Sequence, residues 1–146
     1  MAEVYLLADP PDTGRVSVPV LWDKTRRTIV NNESAEIIRM LNSAFNSFTE
    51  VKTDYYPASL RAEIDRVNDL VYPNLNNGVY RAGFATSQAA YEEAARGVFA
   101  TLDQLEQRLS GQRYLAGRQI TEADWRLFTT LIRFDSVYFS HFKCNL

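Results

Sequence analysis

The apolar positions change period along the chain. From Val16 to Trp22 the run "VSVPVLW" is β-branched and apolar, follows the turn cluster "DPPDTG" at 9–14, and predicts a strand. Pro19 has no N–H to give to a sheet ladder, so the strand lies at an edge or begins at the proline. A second short run, Thr28 to Val30, lies beyond "DKTRR" and predicts a hairpin. After it Ile37, Ile38, Leu41 and Phe45 recur at helical spacing, which predicts a helix over 34–45 that opens on Asn-Asn-Glu-Ser.

From residue 57 the period is helical throughout. Pro57 suits a first helical turn, and Leu60, Ile64, Val67 and Val71 share one face. The Asn- and Gly-rich stretch "PNLNNGVYRAGFATS" at 73–87 reads as a connection. A long helix is expected over 87–109, with Tyr91, Ala94, Val98, Leu102, Leu105 and Leu109 as its stripe and Gly111 as its stop. The last helix opens in "ITEADWRLFTTLIRF", where Thr121 at N-cap and Asp124 at N3 form a capping box, flanked by Ile120 and Trp125 as a hydrophobic staple. That order makes the chain mostly α. A β-β-α piece in residues 1–47 precedes an all-helical region at 57–146, two subregions rather than one doubly wound sheet.

A chain of 146 residues is long enough for one compact domain, or a small domain and part of another. Its composition, 46% hydrophobic and 23% charged, is that of a folded protein. The net charge of −2 gives no long-range attraction to nucleic acid or to an anionic membrane, so neither is expected as a partner. Lys24, Arg26 and Arg27 read as a solvated turn. One cysteine, Cys144, excludes an internal disulfide and fits a reducing compartment. No apolar run approaches the roughly 20 residues of a membrane span, and the N-terminus lacks a signal-peptide pattern, so a soluble, cytoplasmic protein is expected.

Most catalytic chemistries fail on residue type. His141 and Cys144 form a lone H-x-x-C, too few ligands for structural zinc, so no metal is expected. Cys144 sits in an aromatic tail without a base or helix N-terminus beside it, which suits packing rather than nucleophilic attack. There is no G-x-S-x-G elbow, and "GVYRAG" lacks the lysine and glycine spacing of a phosphate loop. What remains is the start of the helix at 34. Free N–H groups and the Ser34 hydroxyl there would take a carboxylate, while Glu33 would take an ammonium group. A ligand carrying both an α-amino and an α-carboxylate group fits; a plain helix cap by Asn32 or Ser34 remains the alternative.

The strings "VPVLWDKTRRTIVNNESAEIIRMLNSAFN", "NNGVYRAGFATSQAAYEEA", "RYLAGRQITEADWRLFTTLIRFD" and "HFKCNL" closely resemble the glutathionyl-hydroquinone reductases, the Xi-class branch of the glutathione transferases. The resemblance implies that residues 1–47 are the C-terminal part of a thioredoxin-like glutathione-binding domain and that 57–146 are an incomplete glutathione-transferase helical domain. It implies glutathione as cosubstrate, a glutathionylated aromatic substrate and a homodimer. Pro19 would be the family's cis-proline, with the Val18 backbone pairing the cysteinyl unit of glutathione. Glu33 and Ser34 would hold the γ-glutamyl end, and Tyr80 would give its hydroxyl to the phenolic substrate.

The family nucleophile is a cysteine in a C-P-W motif, and no such motif occurs here. No catalytic residue is therefore assigned, and the chain is expected to be the middle of a protein about twice its length. In the complete family the cysteine attacks the sulfur of a glutathionyl-hydroquinone and a second glutathione resolves the mixed disulfide. Two other functions fit the same residues: a non-catalytic helical module for dimerisation or scaffolding, and an omega-like glutathione transferase.

Overall fold

The computed structural model describes residues 1–11 and 13–146. Asp12, within the turn expected at 9–14, lies outside them. The chain divides into two compact units, Met1–Asp54 and Tyr55–Leu146.

The first unit begins with α1 (Ala2–Ala8), followed by the antiparallel hairpin of β1 (Leu21–Asp23) and β2 (Thr28–Asn31), then α2 (Ser34–Ser43). The hairpin turn has a local cause. Asp23 Oδ1 accepts the N–H groups of Thr25 at 2.8 Å and Arg26 at 2.9 Å, and Arg27 closes the turn at φ 54°. Register runs Leu21–Asn31, Trp22–Ile29 and Asp23–Thr28, with an irregularity between Leu21 and Trp22. The strand expected over 16–22 is shorter than its apolar pattern: the Val18–Pro19 bond is cis and pairing starts only at Leu21. Among the described residues of this unit, only Tyr5 and Ile37 are buried apolar residues.

The second unit is built on α3 (Arg61–Val71), α4 (Gly78–Gly83), α5 (Gln88–Gly111) and α6 (Glu122–Arg133). Ile64, Val67 and Val71 of α3 are buried as their spacing predicts, against a core that includes Leu75, Val79, Val98, Leu105, Leu115 and Leu127. The connection expected at 73–87 is helical for most of its length. Pro73 does not break the chain, because Tyr72–Asn76 widens into a π turn in which the Asn77 N–H reaches Tyr72 O at 2.9 Å, and α4 follows directly. Along α5 the stripe holds through Ala94, Val98 and Leu105, while Leu109 is exposed. Gly111 is the last helical residue and carries no positive φ; the chain leaves the helix through an extended Gln112.

Two glycines of α4 allow close packing on opposite contacts. A Cβ on Gly78 would meet Val98 Cγ2 at 3.0 Å, and one on Gly83 would meet Phe142 Cγ at 2.3 Å. The capping box at α6 is present: Asp124 Oδ2 accepts from Thr121 N–H at 2.8 Å and from Thr121 Oγ1 at 2.9 Å. Its Oδ1 accepts the Leu115 N–H at 2.8 Å, so the same carboxylate also fixes the loop before the helix. Among the described residues, no helix is long and apolar enough to cross a membrane.

Asp124→Ala removes the cap and leaves the Leu115 amide without its acceptor. A loss of about 2–3 kcal/mol is expected in urea unfolding. A change below about 0.5 kcal/mol contradicts the structural role given to this carboxylate.

Candidate functional site

In the first unit, four polar residues meet at the start of α2, and each takes a different partner. The Asn31 Oδ1 accepts the Glu33 N–H at 2.7 Å, while its amide nitrogen donates to Glu36. The Asn32 side chain is drawn to Tyr5, donating to its hydroxyl at 3.1 Å. Glu33 is thus left to cap the helix, its Oε1 accepting from the Ala35 N–H at 3.2 Å. The expected cap by Asn32 or Ser34 does not form. Ser34 instead points its hydroxyl to the same Glu33 oxygen at 3.4 Å, a long bond that a better acceptor could displace.

A carboxylate and a hydroxyl therefore share the positive end of α2. Both residues are exposed, as are Val18 and Pro19. The Tyr5 hydroxyl ties the two stretches through their neighbours: it donates to Ser17 O at 3.0 Å, Ser17 Oγ lies 3.1 Å from it, and Asn32 donates to it.

In the second unit Tyr80 sits within an aromatic cluster. Its ring stacks on Phe84 at 6.4 Å between centroids and meets Tyr138 at 5.7 Å and Phe142 at 5.3 Å edge-on. Phe142 is delivered by the C-terminal tail, which Tyr91 holds through a bond from its hydroxyl to Lys143 O and the buried Cys144 anchors.

The Tyr80 and Tyr138 hydroxyls are 3.3 Å apart. Burial decides which one donates. Tyr138 is 4% exposed, and leaving its proton without an acceptor would cost about 1–3 kcal/mol, whereas Tyr80, 46% exposed, can give its own to water. Tyr138 therefore donates to Tyr80, and the Tyr80 proton is left for solvent or a ligand. Burial first, and the bond to Tyr80 second, push the Tyr138 phenol up to about 12.

Cys144 is fully buried, and burial pushes its thiol up, away from the reactive thiolate. Thr121 and Asp124 serve the helix cap, and Asp124 also holds the Leu115 amide. Among the described residues, no group of three or more His, Cys, Asp or Glu side chains is placed to hold a metal ion.

Comparison with known proteins adds to this geometry. The family described as glutathione S-transferase, C-terminal domain, matches residues 88–145. The chain is 60% identical to the glutathionyl-hydroquinone reductase PcpF of Sphingobium chlorophenolicum over 99% of its own length and 46% of that protein. It superposes on the glutathione-bound YqjG of Escherichia coli K-12 with a TM-score of 0.96 at 59% identity, covering 99% of this chain and 47% of that one. A glutathione transferase Xi 1 from Trametes versicolor matches with a TM-score of 0.95 at 54% identity, covering 99% of this chain and 51% of that one. The chain belongs to the Xi class of glutathione transferases. It spans about half the length of these Xi-class and reductase relatives.

Sequence reasoning about this Xi-class chain missed Tyr5, Tyr138, Phe84 and Phe142. Tyr138 lies 58 residues from Tyr80, and no local pattern pairs them. Phe84 was hidden by reading 73–87 as a connection; helical spacing from Tyr80 to Phe84 was the available signal.

The raised Tyr138 phenol has a consequence for stability. An unfolded tyrosine ionises near pH 10, so this contribution is complete below about pH 10 and is lost as pH rises through about 12. Urea unfolding of the wild type between these limits should show stability falling with pH. Tyr138→Phe should flatten that fall by up to about 1.4 kcal/mol per pH unit. Parallel slopes for the two proteins contradict the assignment.

Proposed function

We propose that this chain carries glutathione-binding and aromatic-binding parts of a glutathionyl-hydroquinone reductase. The reading is carried by the start of α2, where the Glu33 carboxylate and the weakly held Ser34 hydroxyl share the helix N-terminus. The γ-glutamyl end of glutathione has the matching charges: its ammonium pairs with Glu33, and its carboxylate takes the Ser34 hydroxyl and the first-turn N–H groups. The Val18 backbone, on an exposed stretch, pairs with the cysteinyl unit. Residues 1–47 then act as the C-terminal part of a thioredoxin-like domain, and residues 57–146 as the family's helical domain.

Tyr80 supports the second part of the reading. Its outward proton donates to a phenolic oxygen of the aromatic substrate while the exposed ring of Phe84 offers an apolar face. In the proposed reaction a cysteine thiolate attacks the sulfur of the glutathionyl-hydroquinone. The carbon–sulfur bond breaks, the ring carbon takes a proton, and a mixed disulfide with glutathione remains. The thiolate of a second glutathione then releases glutathione disulfide and restores the enzyme thiol. Cys144, the single cysteine in the sequence, is buried and protonated, so it does not supply that attacking thiolate.

Calorimetric titration of the chain with glutathione tests the reading. Saturable binding is expected, with Glu33→Gln and Ser34→Ala each weakening it about tenfold, as for loss of a charge-assisted hydrogen bond. The chain alone should leave glutathionyl-hydroquinone intact above the background rate. No binding by a folded chain reduces Glu33 to a helix cap and favours a non-catalytic helical module; thiol-dependent turnover overturns the role given to Cys144.

A further inference from the structure

Among the described residues, the stretch that carries Val18 and Pro19 has no ladder of its own. Pairing begins only at Leu21, and Val16, Ser17, Val18 and Pro19 are all exposed. The other half of the candidate site, Asn32 to Ser34, begins where β2 ends at Asn31. The Tyr5 hydroxyl bonds to both stretches.

Tyr5 reaches this point from α1, which packs on β2, and its ring is one of the two buried apolar side chains among the described residues of the unit. Its single hydroxyl proton goes to the Ser17 carbonyl at 3.0 Å. Its oxygen then accepts from the Ser17 hydroxyl at 3.1 Å and from the Asn32 amide at 3.1 Å, with the Ser17 N–H at 3.4 Å. Ser17 precedes Val18, and Asn32 precedes Glu33.

We infer that Tyr5 is a positioning residue for glutathione binding: its hydroxyl fixes the Ser17–Pro19 stretch against the start of α2, so that the Val18 backbone and the Glu33 and Ser34 groups meet one ligand. The inference rests on the glutathione reading above. A hydroxyl that served only to support the fold would affect stability without altering how the ligand's contacts depend on one another. A positioning hydroxyl makes them interdependent, because shifting Ser17 or Asn32 misplaces donors that glutathione needs together.

Tyr5→Phe keeps the buried ring and removes the hydroxyl. Glutathione binding, followed by calorimetry, should weaken about 5- to 10-fold. Asn32→Ala, which removes only the helix-side bond and leaves the Tyr5 ring in place, should weaken it about 2- to 5-fold. In the Ser34→Ala background, Tyr5→Phe should weaken binding by less than it does in the wild-type chain, because one of the contacts that it positions is already gone. Without ligand, the backbone amide signals of Val18 and of Asn32 to Ala35 should shift together in Tyr5→Phe while those of α5 stay in place. Unchanged affinity in Tyr5→Phe, or fully additive effects with Ser34→Ala, overturns the inference and leaves the glutathione reading standing. Failure of the folded wild-type chain to bind glutathione removes both.

Discussion

Hydrogen bonds to one phenol oxygen do in the first unit what a sheet does in larger folds. Among the described residues the backbone around Val18 has no strand partner, and the start of α2 follows a two-stranded hairpin that buries little. An isolated hairpin of this kind is marginal in water, so side-chain ties decide where its flanking segments lie. The Tyr5 hydroxyl bonds to Ser17 on one side and Asn32 on the other. By holding Asn32, it also leaves Glu33 as the residue that caps α2. The polarity of the candidate site thus follows from a contact made at residue 5.

The second unit solves the placement of its polar group differently. Tyr80 rides on α4, which continues the helical run from α3 through the π turn. It is fixed by packing: Gly78 lets α4 approach Val98 of α5, and Gly83 makes room for Phe142 from the tail. The tail is in turn tied by the Tyr91 bond to Lys143 O and by the buried Cys144. Cys144 therefore serves the site as an anchor for Phe142. The buried Tyr138 then sets the direction of the Tyr80 proton, so a packing arrangement becomes a chemical one.

The helices with long stripes were legible in the sequence because burial and period agree there: Ile64, Val67 and Val71, or Ala94, Val98 and Leu105, are inside as spaced. The capping box at Thr121 and Asp124 was legible because it is a local contact. Helix α1 was not, since its seven residues bury only Tyr5 and leave Leu6 and Leu7 exposed. The stretch 73–87 read as a connection for its Asn and Gly content, and only the structure shows the wider turn that keeps the chain helical past Pro73. At the start of α2 the polar residues were visible but their roles were not: intrinsic preference favours Asn or Ser as cap, and the distant Tyr5 takes Asn32 out of that competition. The resemblance to the Xi class pointed to Glu33, Ser34 and Tyr80, while the residues that orient them came from contacts distant in sequence.

In the proposed function, the cis-Pro19 stretch and the start of α2 act as one glutathione site. Backbone amide chemical-shift mapping of the isotope-labelled chain during glutathione titration tests it most directly, because it locates the ligand as well as detecting it. Saturable shifts, with one common affinity, are expected at Val18, Ser34 and Ala35. Saturable shifts confined to other segments, with these amides unmoved, would contradict it.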